Sequence, residues 1–275
     1  MIMPQAVTHL SDPAIRDQPI KGQEGGRGQR LAIVMPVYNH ARNIESMARR
    51  ALKLGFPVVV VDDGSTDATT DILRRVPGLV RLRHAVNAGK GAALMTGFEA
   101  AVEFADWVVT IDADGQHRPE EALRLAAAAL EGPRAIIVGC REGMIGRHVP
   151  WTSRFGRGFS NFWVWASGGG KRIDSQSGFR VYPLPEVFAL NVKARRFQFE
   201  VEVLAKAGWQ GLPIKEVPVS VDYHPGAPRI SHFRPFVDFC RNTATFSRLI
   251  FQRIMVPRAI RRRWLMHTAH HGERP

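Results

Sequence analysis

The chain has 275 residues, of which 45% are hydrophobic and 23% are charged. This composition is typical of a globular protein and excludes a fully disordered chain or an integral membrane bundle. The 38 Lys and Arg residues outnumber the 25 Asp and Glu residues, and the net charge of +13 favours an anionic partner such as nucleic acid, lipid headgroups or a phosphorylated small molecule. Cys140 and Cys240 lack the spacing of a disulfide framework or a zinc site, so a reducing compartment is expected.

Residues 1–29 contain prolines, glycines and charged side chains without the apolar core of a secretory signal, so they are predicted to form a flexible leader. No stretch reaches the ~18 to 20 consecutive apolar residues that a spanning helix needs. We therefore expect a cytoplasmic protein that lies peripherally on the inner face of a membrane and does not cross it.

From residue 31 onward, short β-branched runs alternate with segments of helical period, which predicts repeated βα units and a largely parallel sheet. The predicted strands cover residues 31–34, 58–61, 80–82, 107–111 and 135–138, and the predicted helices cover 41–54, 67–75, 91–104 and 119–130. After residue 139 the pattern weakens, then recovers as a predicted strand at 178–182 and a helix near 198–208. In such a doubly wound α/β fold the ligand lies beyond the carboxyl ends of the strands, where this chain carries polar residues.

Asp112 and Asp114 follow the fourth of these strands, with Ala113 between them. Two carboxylates one residue apart can share a hard divalent cation, Mg²⁺ or Mn²⁺, and this cation can neutralise a departing nucleoside diphosphate. Gln116 would supply a further oxygen ligand. The alternative is a calcium loop or a solvated acidic turn, but Leu123 replaces the acid that an EF-hand requires at its last position.

Asp63 and Lys90 lie at two other predicted strand ends. Because Thr66 or Asp67 caps the next helix, Asp63 is left to accept a hydrogen bond from the ring N–H of a uracil or guanine base. Lys90 lies between two glycines at a helix start, where it can meet phosphate or simply mark the entry of the helix. The segment lacks the spacing of a P-loop, and no GxGxxG follows the first strand, so neither an ATPase nor a dinucleotide-binding fold is supported.

The order of four short segments resembles that of a known family. The segments are Pro36-Val37-Tyr38-Asn39, Val61-Asp62-Asp63-Gly64-Ser65-Thr66-Asp67, Asn87-Ala88-Gly89-Lys90-Gly91 and Asp112-Ala113-Asp114-Gly115-Gln116-His117-Arg118-Pro119. Over roughly residues 31–182 the chain resembles the family 2 glycosyltransferases, and among them the dolichyl- or polyprenyl-phosphate sugar synthases. The resemblance implies a GT-A fold and an inverting transfer from a UDP- or GDP-sugar.

The resemblance also implies roles for individual residues. The donor would be bound by Pro36, Tyr38, Asn39, Asp63, Lys90, Asp112, Ala113 and Asp114, and the metal by Asp112, Asp114 and Gln116. Asp174, Gly178, Phe179 and Arg180 resemble the family's Asp-x-x-x-Gly-Phe-Arg element. Asp174 is a candidate base or acceptor-orienting acid, with a helix or turn cap as the structural alternative. Arg180 would hold phosphate oxygens.

An arginine-rich region leads into an aromatic stretch at residues 155–165; its arginines are Arg141, Arg147, Arg154 and Arg157. A basic loop beside an amphipathic aromatic helix suits a lipid-phosphate acceptor at a bilayer interface, although for any single ring, such as Phe159, Phe162 or Trp163, ordinary core is the favoured interpretation. In the resembling synthases, the positions of Arg141 and of the Ser153-Arg154 pair handle the acceptor phosphate.

Two segments depart from the family's pattern. His40 stands where the family usually has an acid, and residues 226–234 replace the synthases' Arg-x-x-Gly-x-Ser-Lys element. Arg229, His232 and Arg234 would supply the charge there. The predicted acceptor is a lipid-linked one, a polyprenyl phosphate, and the alternative is a hydroxyl of a glycan, lipid or secondary metabolite.

Residues 236–275 are predicted to form a basic, amphipathic helical segment. Phe246, Leu249, Ile250 and Ile254 recur at helical spacing among arginines, which favours contact with an anionic membrane surface; the alternative is a helix packed on the domain with a solvated tail. The GT-A catalytic domain is expected to cover residues 30–235, with a nucleotide-sugar half at 30–138 and an acceptor half at 139–235.

Two other classes of protein fit the sequence less well. A nucleotidyltransferase would need a Gly-rich basic loop after the first strand, where this chain has Pro36-Val37-Tyr38-Asn39. A non-catalytic nucleic-acid-binding protein would explain the net charge, but no motif of such proteins is present, and the strand-end carboxylates would repel phosphate without a metal. We therefore expect no nucleic-acid partner.

Overall fold

The computed structural model describes residues 7–9, 24–25, 29–141, 151–171, 173–220 and 235–257, with side chains in 30–141, 157–171, 173–220 and 243–257. The strands are β1 (Val7–His9), β2 (Glu24–Gly25), β3 (Gln29–Val37), β4 (Val58–Asp62), β5 (Leu79–His84), β6 (Trp107–Thr110), β7 (Ile136–Arg141), β8 (Arg180–Pro183) and β9 (Ile214–Val219). The helices are α1 (Ile44–Leu52), α2 (Thr69–Arg74), α3 (Lys90–Ala101), α4 (Ala122–Leu130), α5 (Trp151–Val164), α6 (Glu186–Ala189), α7 (Phe199–Gln210) and α8 (Pro235–Met255). A 3₁₀ turn at Pro119–Glu121 precedes α4, and a π-helical turn at Trp165–Gly169 follows α5.

The strands form one sheet in the order β1-β5-β4-β3-β6-β8-β7-β9, and β2 pairs with β3. The strands β5, β4, β3 and β6 are parallel, β8 is antiparallel to both β6 and β7, and β9 is parallel to β7. Between β3 and β9, therefore, only β8 runs against the others. This arrangement confirms the predicted α/β fold with a mostly parallel central sheet.

The helices and strands predicted within residues 31–208 are all present, with shifted ends. The predicted flexible leader at 1–29 contains β1 and β2, which pair with β5 and β3, and the predicted helical segment at 236–275 is described only as far as residue 257. The largest difference at a strand is in β3, which continues to Val37 and pairs Pro36 with Val61 of β4. A central strand tolerates this proline because the other neighbour, β6, pairs with β3 only as far as Val34, so no ladder bond is lost. The strand β9 was not predicted, since Lys215, Glu216 and Pro218 interrupt its apolar pattern.

The sheet is covered on both faces, which explains why its central strands are continuous apolar runs. One buried cluster contains Ile33 and Met35 of β3 together with side chains of α1 and α4. The other contains Ala32 and Val34, together with side chains of α3 and α7. This packing places the starts of α3 and α7 near the carboxyl end of β6.

Within the described residues, no helix is both long enough and apolar enough to span a bilayer.

Candidate active site

Lys90 connects the two sides of the site. It is the first residue of α3, and its ammonium lies 2.6 Å from Asp112 Oδ1, just beyond β6, and 2.5 Å from Glu200 Oε1, in the first turn of α7. Burial alone would lower the pKa of Lys90, but the two carboxylates raise it above its ordinary value, so the ammonium stays charged. The structure thus brings Lys90 and Asp112 together, as the strand-end argument predicts, and adds Glu200.

Gly178 leaves the space in which these three side chains meet. A Cβ added at this residue would lie 2.5 Å from Lys90 Nζ and 2.9 Å from Glu200 Oε1, well inside van der Waals contact. A side chain at this position would therefore push the ion pairs apart. This close approach gives a steric reason for the glycine of the Asp-x-x-x-Gly-Phe-Arg element.

Asp114 lies close to Asp112 but in a different electrostatic state. Burial and the Asp112 carboxylate together raise the pKa of Asp114. Burial would raise the pKa of Asp112 as well, but the Lys90 ammonium keeps it below its ordinary value. The loop is held by the Gln116 N–H, which donates to Asp114 Oδ1 at 3.0 Å, and by the Asn43 amide, which donates to the Asp114 carbonyl at 2.8 Å. Lys90 thus stabilises the charge on Asp112, whereas burial and Asp112 disfavour the charge on Asp114.

His117 brings an unused hydrogen-bonding atom to the same place. Its ring is buried against Phe179, with 5.0 Å between the ring centroids, and its Nδ1 has no hydrogen-bond partner among the described residues. Burial lowers the pKa of His117 to about 4, against the opposing effect of Asp112, so the imidazole is neutral near pH 7. His117 Nδ1 is thus a buried ring nitrogen without a hydrogen-bond partner among the described residues.

Asp63 shapes the loop that leads into α3. Its buried carboxylate accepts hydrogen bonds from the N–H groups of Ala88 and Gly89, both at 2.8 Å, and its Oδ1 lies 2.7 Å from His84 Nδ1. These contacts hold the backbone directly before Lys90. Asp63 therefore has a structural role, and its recognition of a base stays a prediction.

Asn39 fastens the end of β3 to the loop after β4. Its backbone is left-handed, with φ of 54°, its N–H donates to Ser65 Oγ at 2.9 Å, and its Oδ1 accepts from the Thr66 N–H at 2.8 Å. Pro36 lies within β3 and Tyr38 directly follows it, so the three predicted donor residues share one strand end. Their contact with a nucleotide stays a prediction.

Asp174 and Arg141 form a buried ion pair on the predicted acceptor side. Arg141 ends β7, and its Nε and Nη2 donate to the two Asp174 carboxylate oxygens at 2.6 and 2.8 Å. Burial would raise the pKa of Asp174, but the bonds from Arg141 hold it below its ordinary value. A carboxylate that is kept ionised, with both oxygens bonded, is a poor proton acceptor. The geometry thus argues against a general base and favours an acid that orients Arg141.

Arg180 is a buried anchor. Its side chain is 0% exposed, and its guanidinium donates to the carbonyls of Ser177 at 2.7 Å, Ser175 at 2.8 Å and Glu200 at 2.8 Å. These bonds join the turn at residues 174–178 to the first turn of α7. This position corrects the expectation that Arg180 holds phosphate oxygens, because its donors are directed at the backbone.

Four predicted acceptor residues are not described at the side-chain level. Arg229 and His232 lie outside the described residues. Ser153 and Arg154 belong to α5, where the structure describes the backbone at these residues but not their side chains. Their roles stay predictions.

Glu200 and His117 are the site residues that the sequence analysis left without a role. Glu200 stands among apolar residues with no motif spacing, and only the packing of α7 beside α3 brings it to Lys90. His117 lies within the segment Asp112–Pro119, directly after Gln116. Its place in that segment was the only indication in the sequence of a role at the site.

A comparison with protein families identifies the family to which the chain belongs. The sequence model of Glycosyl transferase family 2 matches residues 32–188, more than half of the chain. The chain belongs to glycosyltransferase family 2. The matched region contains Lys90, Asp112, Asp114 and Asp174, whereas Glu200 lies beyond it.

Several relatives of this family 2 glycosyltransferase are similar along most of its length. An uncharacterised protein of Methanocaldococcus jannaschii is 32% identical, covering 70% of this chain and 82% of its own. The UDP-N-acetylglucosamine–dolichyl-phosphate N-acetylglucosaminyltransferase of Methanococcus voltae is 28% identical, covering 70% and 86%. The polyprenol monophosphomannose synthase of Mycolicibacterium smegmatis is 30% identical, covering 70% and 77%. The resemblance to polyprenyl-phosphate sugar synthases is thereby confirmed.

Solved glycosyltransferases share the fold. Mannosyl-3-phosphoglycerate synthase from Rubrobacter xylanophilus superposes with a TM-score of 0.57 and 18% identity, over 82% of this chain and 74% of its own. A mannosyltransferase from Pyrobaculum calidifontis, in complex with GDP-mannose and Mn²⁺, gives 0.55 and 16% identity, over 95% and 81%. The predicted GT-A fold of this family 2 glycosyltransferase is confirmed.

The residues beyond β6 of this family 2 glycosyltransferase fit a divalent cation. Asp112 and Asp114 offer carboxylate oxygens, and the raised pKa of Asp114 reflects burial and a repulsion from Asp112 that a cation would relieve. Among the described residues, no three Asp, Glu, His or Cys side chains are arranged to hold a metal ion. Water and donor phosphates commonly complete the coordination shell of Mg²⁺ in such sites.

Proposed function

We propose that this family 2 glycosyltransferase transfers a sugar, with inversion, from a UDP- or GDP-sugar to a polyprenyl phosphate in a membrane. The observation that carries the proposal is the meeting of Asp112, Asp114 and Lys90 at the carboxyl ends of the strands, where nucleotide ligands bind in such sheets. The names of the relatives support it, since one is named for UDP-N-acetylglucosamine and dolichyl phosphate and another for polyprenol monophosphomannose. The Pyrobaculum calidifontis mannosyltransferase, with GDP-mannose and Mn²⁺, supports the donor class.

The donor would bind in the half at residues 30–138. Its proposed contacts are Pro36, Tyr38, Asn39 and Asp63 around the nucleoside, and Lys90, Asp112, Ala113 and Asp114 around the diphosphate. A Mg²⁺ or Mn²⁺ ion held by Asp112 and Asp114, with Gln116 as a further ligand, would neutralise charge on the departing nucleoside diphosphate. Lys90 would add a fixed positive charge beside that group.

The acceptor would bind in the half at residues 139–235, with Arg141 as its central contact. Arg141 is held in one orientation by Asp174 and carries the charge that a phosphate group requires. A phosphate monoester is already anionic, so it attacks without giving a proton to a base, which agrees with the ion-paired state of Asp174. Ser153, Arg154, Arg229 and His232 would extend this phosphate site.

An exposed apolar surface supports a membrane-associated acceptor and peripheral attachment to a membrane, which we propose to be at the cytoplasmic face. We call it the aromatic face; it comprises Phe162, Trp165, Phe251, Ile254 and Met255. Its two segments touch, because the Arg253 guanidinium donates to the Ala166 carbonyl. Residues 157–171 and 243–257 contain no Asp or Glu, and their basic residues are Arg157, Lys171, Arg248 and Arg253, of which Arg248 pairs with Glu202 of α7. Aromatic and basic side chains together suit an anionic leaflet.

The test uses the purified full chain with UDP- and GDP-sugars, Mn²⁺, and either a polyprenyl phosphate or the matching polyprenol in detergent. Release of nucleoside diphosphate measures turnover, and the anomeric configuration of the product reports inversion. We expect turnover with the phosphate acceptor, and a loss on the order of 100-fold in Asp114→Ala. Asp71→Ala removes an exposed carboxylate of α2 that pairs with Arg74, and should leave turnover unchanged.

Two results would contradict the proposal. Turnover of Asp114→Ala equal to that of wild type would remove the metal role of Asp114. Transfer to the polyprenol and not to its phosphate would assign the enzyme to hydroxyl acceptors.

A further inference from the structure

Glu200 has no part in the proposed transfer, yet both its backbone and its side chain are held by buried contacts. It lies in the first turn of α7 and is 6% exposed. Its backbone carbonyl accepts a hydrogen bond from Arg180, and its Oε1 lies 2.5 Å from Lys90 Nζ. A buried carboxylate in such a position needs its cation, because breaking a buried pair is strongly destabilising.

A divalent cation held by Asp112 would compete with Lys90 for that carboxylate. The ammonium lies 2.6 Å from Asp112 Oδ1, so a cation bound to that oxygen would repel it. A displaced ammonium with no carboxylate would be a partly buried, unpaired charge. Glu200 is already in contact with Nζ on the other side and can keep the ammonium paired.

We propose that Glu200 is a positioning residue that retains the Lys90 ammonium when a divalent cation takes Asp112. Lys90 neutralises Asp112 before the cation arrives, then stays on Glu200 beside the diphosphate. The inference rests on the proposed function, since it requires a cation at Asp112. It also explains two residues of the Asp-x-x-x-Gly-Phe-Arg element, because Gly178 leaves room for the ion pairs and Arg180 fixes the backbone of Glu200.

The test measures the binding of Mn²⁺ alone, from the electron paramagnetic resonance signal of the free ion. The proteins are the full-length wild type, Glu200→Gln, Lys90→Met and the double variant. The charge of Glu200 attracts Mn²⁺ whether or not Lys90 is present, whereas retention of the ammonium matters only with Lys90. We therefore expect Glu200→Gln to raise the Kd for Mn²⁺ in both backgrounds. The fold increase should be about tenfold larger in the wild-type background than in the Lys90→Met background.

The outcomes separate this inference from the proposed function. Equal effects of Glu200→Gln in the two backgrounds would overturn the inference alone, because Glu200 would then act on the cation without Lys90. A wild type that binds no Mn²⁺ would overturn the metal site and the inference together. Glu200→Asp keeps the charge but withdraws it by one methylene, so its coupling to Lys90 should be intermediate; the same cycle can be run with it if Glu200→Gln does not fold.

Discussion

Replacing Asp174 with Asn removes the charge of the buried carboxylate and nearly keeps its shape. Breaking a buried ion pair costs about 3–5 kcal/mol. The Arg141 side chain is 15% exposed, so water recovers part of this loss. We expect the free energy of unfolding to fall by about 2–4 kcal/mol, because Arg141 loses a bidentate, charge-assisted partner. For a chain of this size, such a loss lowers Tm by roughly 10 °C.

Urea unfolding followed by tryptophan fluorescence measures this difference, with Glu99→Gln, an exposed carboxylate of α3, as the control. Although burial opposes it, Arg141 lowers the pKa of Asp174 in the folded state. The stabilisation is therefore present above the ordinary Asp pKa of about 3.9 and is lost as the pH falls through the folded value. The difference in free energy of unfolding between wild type and Asp174→Asn should be largest at neutral pH and should decrease in acid. An Asp174→Asn variant within about 0.5 kcal/mol of wild type at pH 7 would refute the reasoning.

Three other substitutions test particular contacts. Arg180→Lys keeps the charge but loses the planar guanidinium that donates to three carbonyls. Thermal unfolding should therefore show a free energy of unfolding lower by about 2 kcal/mol or more. Unchanged stability would contradict the anchor role. Gly178→Ala should lower the free energy of unfolding by about 1–3 kcal/mol through overpacking, and it should weaken Mn²⁺ binding in the resonance assay. Stability and Mn²⁺ affinity equal to those of the wild type would mean that the space beside Gly178 can hold a methyl group. The double change Phe162→Ser and Trp165→Ser should weaken co-sedimentation with phosphatidylserine vesicles by about tenfold, whereas Val86→Ser, at another exposed apolar residue, should not.

The residues that the sequence analysis identified are those whose position follows from local pattern. Asp112, Asp114 and Lys90 could be grouped because parallel strands end at one edge of a sheet. Asp112 and Asp114 lie in the loop after β6, and Lys90 begins α3 after β5. The order of the four segments then identified the family. The same local reasoning missed β9, whose polar residues and proline hide its pairing with β7.

The roles of Asp174 and Arg180 could not be read in this way. Whether a carboxylate accepts a proton depends on what surrounds it, and for Asp174 the surroundings include an ion pair with Arg141, 33 residues away in sequence. Arg180 has the charge that a phosphate group requires, but in the fold its guanidinium donates hydrogen bonds to backbone carbonyls.

The α/β architecture, the polar strand ends and the glycosyltransferase family could all be predicted from the amino-acid sequence, because periodicity and short motifs are properties of neighbouring residues. Which charges face each other became apparent only in the folded chain. Lys90 and Glu200 are separated by 110 residues and meet because α3 and α7 pack on the same face of the sheet. Ionic contacts of this kind depend on how distant elements pack, since no local pattern records them.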